Sequence, residues 1–322
     1  MKSISSPASS HGVLVIAGLT ASGKSQLAID LAERLDAEIV AADSVALYKG
    51  FDIGSAKPAQ QDQRRVTHHM IDILDPSQRA SSGMYMQLAR KAIADIHSRD
   101  RLAIVVGGSA LYIRSLLGEN FHELPHDPSL RAELCQKSPQ ELYVQLRELD
   151  PQRACELHPN DHFRLARACE IALLTGKTMQ QLTQSSCDTL TCGALSEYQC
   201  LSVVIQPPKI VSERAISRRV DQMLAAGLCD EVKGLLAKGV RKDVWAFSSV
   251  GYKQVLDHFH RGQTDLRSLR EAIIIATRQL AKKQRRVFGL LPFHMCFEQA
   301  DFPSLLVALE NSPLCRYFKK SH

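Results

Sequence analysis

The chain has 322 residues, 45% of them apolar, and its 40 Lys and Arg outweigh 34 Asp and Glu to give a net charge of +6. That apolar content supports a full core in one large domain or two modest ones and excludes a disordered chain, while the basic excess favours polyanionic partners. Nine scattered cysteines with no C-x-x-C pair exclude a zinc ribbon or a dithiol redox motif and read as free thiols of a reducing cytoplasm.

Residues 1–11, serine-rich with Pro7, read as a disordered tail. Lys2 and the apolar residues beyond it weakly match a signal peptide. That apolar run, Val13-Leu14-Val15-Ile16-Ala17, flows straight into Gly18-Leu19-Thr20-Ala21-Ser22-Gly23-Lys24-Ser25, so it is better explained as a first core strand. The octapeptide fits the phosphate-loop pattern G-x-x-x-x-G-K-[ST] between a strand and a helix that runs from Lys24 to about Leu35. Its glycines let backbone N–H groups turn inward around a diphosphate, and the helix N-terminus adds its positive dipole end. Lys24 supplies a point charge and Ser25 a hydroxyl for Mg²⁺. The commonest ligand of such a loop is a nucleotide, and the pattern alone does not say whether the phosphate is hydrolysed, transferred or expelled.

Residues 37–42 form a second short apolar strand that ends at Asp43, completing a β-α-β unit. Met84, Leu88, Ala92, Ile93 and Ile96 recur at helical spacing, and Leu102 to Val106 is a buried strand that runs into Gly107-Gly108-Ser109. Such alternation predicts an α/β fold, a P-loop NTPase-like core whose parallel sheet is flanked by helices. From about Asp127 to Gly176 the segments are charged and helix-forming, which predicts a helical insertion over 126–194 between core segments 12–125 and 195–322. A strand over Tyr198 to Ile205 is stopped by Pro207-Pro208. The remainder reads as helical: Ser212 to Ala226, Cys229 to Lys238, Gly251 to Phe259 and Leu266 to Val287. No stretch approaches the length of a membrane span.

Asp43, at the carboxyl end of its strand, lies on the side where open α/β sheets bind ligands. It reads either as a turn or N-cap aspartate, as a general base, or as a second-shell Mg²⁺ ligand. The Gly107-Gly108 strand end lacks the acidic residue that holds the metal in many hydrolysing phosphate-loop enzymes, which argues against a motor or switch NTPase. Arg214, Arg218 and Arg219 on one helix and Arg278, Lys282, Arg285 and Arg286 on another form basic stripes. A single stripe is usually a solvated face; two of them, with Arg164 and Arg167 on the insertion, favour a nucleic acid. Phe163 fits either a base-stacking platform or a core position. His68-His69 would suit a metal pair only with a third ligand, and none is near in spacing, which favours structural roles.

Taken together, these residues resemble the tRNA dimethylallyltransferases, also called tRNA isopentenyltransferases. The resemblance rests on the phosphate loop, Asp43-Ser44 with Tyr48-Lys49-Gly50, and Asp52-Ile53-Gly54-Ser55-Ala56-Lys57-Pro58. It continues through His68-His69-Met70-Ile71-Asp72, Val106 to Tyr112, His158-Pro159-Asn160-Asp161, Arg219 to Leu224, Val250-Gly251-Tyr252-Lys253 and Thr277 to Lys282. It implies transfer of a dimethylallyl group from dimethylallyl diphosphate to N6 of the adenosine 3′-adjacent to the anticodon, in tRNAs reading codons that begin with U. Asp43 would be the base on that amino group. Thr20, Lys24, Arg219, the loop Gly18 to Ser25 and Mg²⁺ at Ser25 would stabilise the departing pyrophosphate.

The resemblance also implies tRNA contacts at Asp43, Ser44, Val45 and Ala46, at Ser109 and Arg131, and at Phe163, Arg164, Leu165, Ala166 and Arg167. Further contacts are implied at Ser248, Ser249, Val250, Gly251, Tyr252 and Lys253, and over the Lys282 to Gly289 segment, with Lys282, Arg285 and Arg286 foremost. The insertion would then grip the anticodon stem-loop, and the enzyme would be a cytoplasmic monomer. This chain departs from the family pattern at Leu19, where proline is usual, at Ser248, where many members carry arginine, and at Val287 and Gly289, near a usual Thr-Trp pair with a following arginine. Arg285 and Arg286 supply positive charge beside the last of these. The rivals are a phosphate-loop kinase of a small metabolite, with Asp43 activating a hydroxyl, and a basic RNA-binding protein with a vestigial loop.

Overall fold

In a computed structural model, residues 11–117, 124–185, 195, 197–262 and 265–319 are described. Contacts divide the chain into two compact units, Met1–Gly118 with Ala194–His322, and Glu119–Gly193.

The first unit is built on a six-stranded, wholly parallel sheet in the order β3-β2-β4-β1-β5-β6. Its strands are β1 (Gly12–Gly18), β2 (Glu38–Ala41), β3 (His68–His69), β4 (Ala103–Gly107), β5 (Gln199–Ile205) and β6 (Met295–Phe297). The central strand β1 is buried along its whole length, as expected of a parallel strand covered on both faces. Helix α1 (Lys24–Leu35) follows the phosphate loop, and its Leu27, Ala28 and Leu31 pack against Leu14, Ile16, Ile104 and Val203 of the sheet. Then come α2 (Gln60–Arg65), α3 (Ser82–Ser98) and α4 (Ala110–Leu117). Ser81 caps α3 by accepting from the Met84 N–H.

The second unit is helical: α5 (Pro128–Leu134), α6 (Pro139–Leu149), α7 (Pro151–Glu156), α8 (His162–Thr175) and α9 (Met179–Ser185). Each of the first four starts at a side chain that accepts from the helix's opening N–H groups: Asp127, Ser138 in a box with Glu141, Asp150 and Asp161. Proline at the first position of α5, α6 and α7 removes a donor that would have no helical partner. Leu134, Leu142, Leu146, Ala154, Leu165 and Cys169 make its core.

The chain returns to the first unit through β5 and continues with α10 (Lys209–Ala225), α11 (Leu228–Ala237), α12 (Tyr252–His260), α13 (Leu266–Phe288), α14 (Phe302–Glu310) and α15 (Arg316–Lys319). The expectation of a purely helical remainder is corrected by β6, which adds to the free edge of β5 with Val203, Val204 and Ile205 opposite Met295, Cys296 and Phe297. The histidine pair is likewise structural. His69 Nε2 lies 2.7 Å from the buried Glu38 carboxylate and His68 Nδ1 2.8 Å from the Val66 carbonyl, while β3 pairs with β2.

Register brings the carboxyl ends of three adjacent strands to one edge. Ala17 of β1 pairs with Gly107 of β4, and Val106 of β4 with Ala41 of β2. Phosphate loop, diglycine and Asp43 therefore emerge side by side.

Candidate active site

The loop between β1 and α1 has the shape of an anion cradle. Gly23 takes φ 85° and Ala21 φ 63°, so the backbone reverses twice before α1 begins. No side chain caps the first turn of α1, which leaves its N–H groups directed at the loop. The Ser22 hydroxyl is buried and has no hydrogen-bond partner among the described residues. A buried hydroxyl left unpaired is costly, and a ligand oxygen in the loop would remove that cost. Leu19, where the family pattern has proline, is 1% exposed, and its N–H still bonds to the Ile205 carbonyl at 3.1 Å.

Lys24 is half-buried, and its Nζ donates to the Leu19 carbonyl at 3.3 Å. Burial, then the positive charge of Arg219, lowers its pKa to about 8, against the opposing pull of Asp43. Burial likewise lowers the pKa of Arg219, which Asp43 again opposes. Lys24, Arg219 and Asp43 thus lie close enough for their charges to act on one another, the two cations repelling and the carboxylate opposing that repulsion. Arg219 turns inward from α10, whereas its neighbours Arg214 and Arg218 are exposed.

Asp43 takes the first of the roles open to it. Its Oδ1 accepts from the Val45 and Ala46 N–H groups at 2.8 and 3.1 Å, the geometry of a turn aspartate. Among the described residues Oδ2 takes no hydrogen bond, so the turn fixes the carboxylate and leaves one oxygen for an incoming group. Ser109 Oγ accepts from the Ser44 N–H at 2.8 Å, tying the Asp43 loop to the end of β4. Tyr85 and Tyr112 stack at 4.0 Å between centroids; burial raises both phenols, and the Asp43 charge adds to this.

Of the diglycine, Gly107 is sterically required and Gly108 leaves room for a side chain from another helix. A Cβ on Gly107 would fall 2.0 Å from the Ala42 carbonyl oxygen, and one on Gly108 would lie 2.8 Å from Gln284 Nε2 and 3.6 Å from Lys24 Nζ. Gln284 lies in the Lys282 to Gly289 segment where tRNA contact is expected, but its side chain is on the buried face of α13 and turns to the sheet edge instead. Its Oε1 accepts from the Thr20 N–H at 2.9 Å, and its Nε2 donates to the Gly108 carbonyl at 2.8 Å. The available signal was a polar residue on the apolar stripe of an amphipathic helix, in line with Ile273, Ile274, Thr277, Ala281 and Phe288.

Of the positions where RNA contact is expected, Ser44, Val45, Ser109, Ser248, Ser249, Val250, Lys253, Lys282, Arg285 and Arg286 are accessible at least in part. Arg285 also donates to the Pro207 carbonyl. Ala46 and Tyr252 are buried, and the Tyr252 hydroxyl bonds Glu231 and the Gly54 N–H. Gly251, also buried, takes φ 97°. In the helical unit, Leu165 and Ala166 are 0% exposed. The side chains of Ala46, Tyr252, Leu165 and Ala166 are taken up by packing, which leaves those positions their backbone for an RNA contact. Phe163 is 53% exposed, with Arg131 over its ring at 5.3 Å, and Arg164 also points outward. Arg131 and Arg167 converge on the buried Glu170, at 3.0 and 2.6 Å.

The family model described as IPP transferase matches residues 46–289. The tRNA dimethylallyltransferase of Geobacter metallireducens is 39% identical over 280 residues, covering 86% of this chain and 89% of its own length. That of Exiguobacterium sp. is 40% identical over 277 residues, covering 84% and 85%. Among solved structures, the full-length tRNA isopentenylpyrophosphate transferase of Bacillus halodurans is 30% identical, with TM-score 0.66 over 97% of this chain and 98% of that one. A eukaryotic dimethylallyltransferase solved acting on tRNA is 25% identical, with TM-score 0.74 over 95% and 77%. The chain therefore belongs to the tRNA dimethylallyltransferase family.

Proposed function

We propose that this chain transfers a dimethylallyl group from dimethylallyl diphosphate to N6 of the adenosine 3′-adjacent to the anticodon, in tRNAs reading codons that begin with U, and releases pyrophosphate. The observation that carries this reading is the union, at one sheet edge, of a diphosphate cradle, an Asp43 with one free oxygen and a strand end with no carboxylate. A kinase of small metabolites is not favoured, because the family match covers most of the chain.

In the reaction the allylic C–O bond breaks and its electron pair leaves with the diphosphate, while N6 bonds to the same carbon. The adenine amino group is a weak nucleophile because its lone pair is delocalised into the ring. Asp43 Oδ2 takes the proton that becomes acidic as the N–C bond forms. Lys24, Arg219, the Thr20 hydroxyl and the loop N–H groups meet the negative charge that builds on the leaving group. Losing one such donor costs about a hundredfold in rate. Ser25, exposed on the first turn of α1, would hold Mg²⁺. Among the described residues no cluster of three His, Cys, Asp or Glu is gathered, so the ion's other ligands would be phosphate oxygens and water, which suits Mg²⁺. Bound there, the ion would offset diphosphate charge.

The RNA partner is the anticodon stem-loop, whose unpaired bases are extruded more easily than those of a duplex. Arg278, Lys282, Arg285 and Arg286 on α13, and Phe163 and Arg164 on the helical unit, supply exposed cationic and stacking groups. Among the described residues no helix is long and apolar enough to cross a membrane. A cytoplasmic monomer completes the proposal. The test is incubation with unmodified tRNA, Mg²⁺ and labelled dimethylallyl diphosphate. Label is expected in the tRNA without ATP; ATP consumed on a small acceptor, with no label in tRNA, would overturn it.

A further inference from the structure

Gln284 sits 4% exposed between Lys282, Lys283, Arg285 and Arg286, all of which face solvent. One amide, reaching from the C-terminal part of the chain, closes three contacts at the catalytic edge of the sheet. Its Oε1 takes the Thr20 N–H, and its Nε2 gives one hydrogen to the Gly108 carbonyl. The same Nε2 lies 3.4 Å from Thr20 Oγ1, a long contact in which the threonine oxygen accepts. A hydroxyl oxygen that accepts from this side directs its own proton elsewhere. The Thr20 N–H is also spoken for, so the hydroxyl is the donor this residue has left to offer an anionic ligand.

Only a side chain that donates and accepts at once fits here. A carboxylate would set an oxygen against the Gly108 carbonyl, and an apolar chain would leave the Thr20 N–H and the Gly108 oxygen without this partner. The missing side chain of Gly108 makes room for the amide, since a Cβ would come within 2.8 Å of Nε2.

We infer that Gln284 is a positioning residue for the leaving-group side of the reaction. It acts through Thr20, holding the hydroxyl so that its proton points into the phosphate loop, and it anchors the loop to the basic helix α13. This rests on the transfer reaction proposed above.

The test is a double-mutant cycle with Gln284→Met and Thr20→Ala, read as kcat and KM for tRNA and as calorimetric affinity for inorganic pyrophosphate. Loss of the amide is expected to lower kcat on the order of tenfold with KM for tRNA unchanged. Pyrophosphate binding should weaken in parallel, and the same substitution should cost clearly less in the Thr20→Ala background. Gln284→Glu guards against a folding defect. Its rate relative to the parent chain should recover as pH falls, because the protonated acid regains the donor toward Gly108. Equal factors in both backgrounds, a raised KM for tRNA with kcat intact, or a flat ratio across pH would overturn the inference. A parent chain that binds pyrophosphate but puts no label into tRNA would instead overturn the reaction, and the pyrophosphate cycle would still decide the role of Gln284.

Discussion

If the loop holds a diphosphate as proposed, Lys24 makes that binding depend on pH. Its pKa is lowered to about 8 by burial and by Arg219, against an ordinary value of 10.5. In the free protein the ammonium is roughly nine-tenths populated at pH 7 and about one-tenth at pH 9. A bound diphosphate restores the proton, because an anion beside the amine favours its charged form. Affinity should therefore fall about tenfold between pH 7 and pH 9, and binding at pH 8.5 should take up roughly 0.8 proton. Calorimetry with inorganic pyrophosphate in buffers of different ionisation enthalpy measures both. Lys24→Met supplies the reference, since the titration of the ligand remains and that of the amine is gone. An affinity ratio between the two proteins that stays constant from pH 7 to 9, or proton uptake that Lys24→Met retains, would refute the reasoning.

Glu38 should govern part of the acid limit. Burial pushes its carboxyl up, but hydrogen bonds from Arg99, His69 and Arg101 overcome this and hold it at about 2, below the usual 4.5. The stability it adds is present above 4.5 and lost as pH falls toward 2; screened through half-exposed Arg99 and Arg101, it is on the order of 2 kcal/mol. Glu38→Gln should be less stable at pH 7, with the gap closing in acid denaturation curves; a gap that stays constant would count against this. Gly107→Ala forces a methyl to 2.0 Å from the Ala42 carbonyl and should cost about 3 kcal/mol, roughly 6 °C or more in Tm. An unchanged melting curve would show that the two strand ends can part. Glu231 accepts from the Asp52 and Ile53 N–H groups at 3.0 and 2.7 Å and from the Tyr252 hydroxyl. Glu231→Gln should cost about 2 kcal/mol and speed hydrogen exchange at Ile53, and unaltered exchange there would remove the carboxylate from any role in that loop.

What could be read from the chain followed from how local its cause was. β1 and α1 were visible because an unbroken apolar run, a glycine-rich loop and a 3.6-residue stripe each act within a few residues. The limits of α10 shifted only by a turn, since Pro208 serves as its N-cap and lets the helix start at Lys209. β6 was missed because a three-residue strand has no period; what creates it is the open edge of β5, some ninety residues earlier in the chain. Glu38 read as part of an apolar strand, and nothing near it announces the ion network that His69 brings from β3 and Arg99 and Arg101 bring from the connection between α3 and β4. The site divides the same way. The phosphate loop and Asp43 lie on consecutive β-α units and could be paired by topology alone, whereas the Gln284 amide crosses 264 positions to reach Thr20.

That long reach changes the meaning of the acid-free strand end. Read as sequence, Gly107-Gly108 merely lacks the aspartate that a hydrolysing enzyme would use for its metal. In the fold, both positions are taken: the Ala42 carbonyl fills the space a side chain at 107 would need, and the Gln284 amide and Lys24 ammonium surround the space at 108. An aspartate at 108 would press its Cβ against the amide that holds Thr20 and place a carboxylate beside Lys24, competing with the ligand for that ammonium. The same packing that keeps a carboxylate out brings α13, with its exposed Lys282, Arg285 and Arg286, against the phosphate loop. A site closed by a basic helix in this way suits the proposed reaction, in which a diphosphate is held while a polyanion docks beside it. Transfer to RNA asks for that arrangement, and hydrolysis of a nucleotide does not.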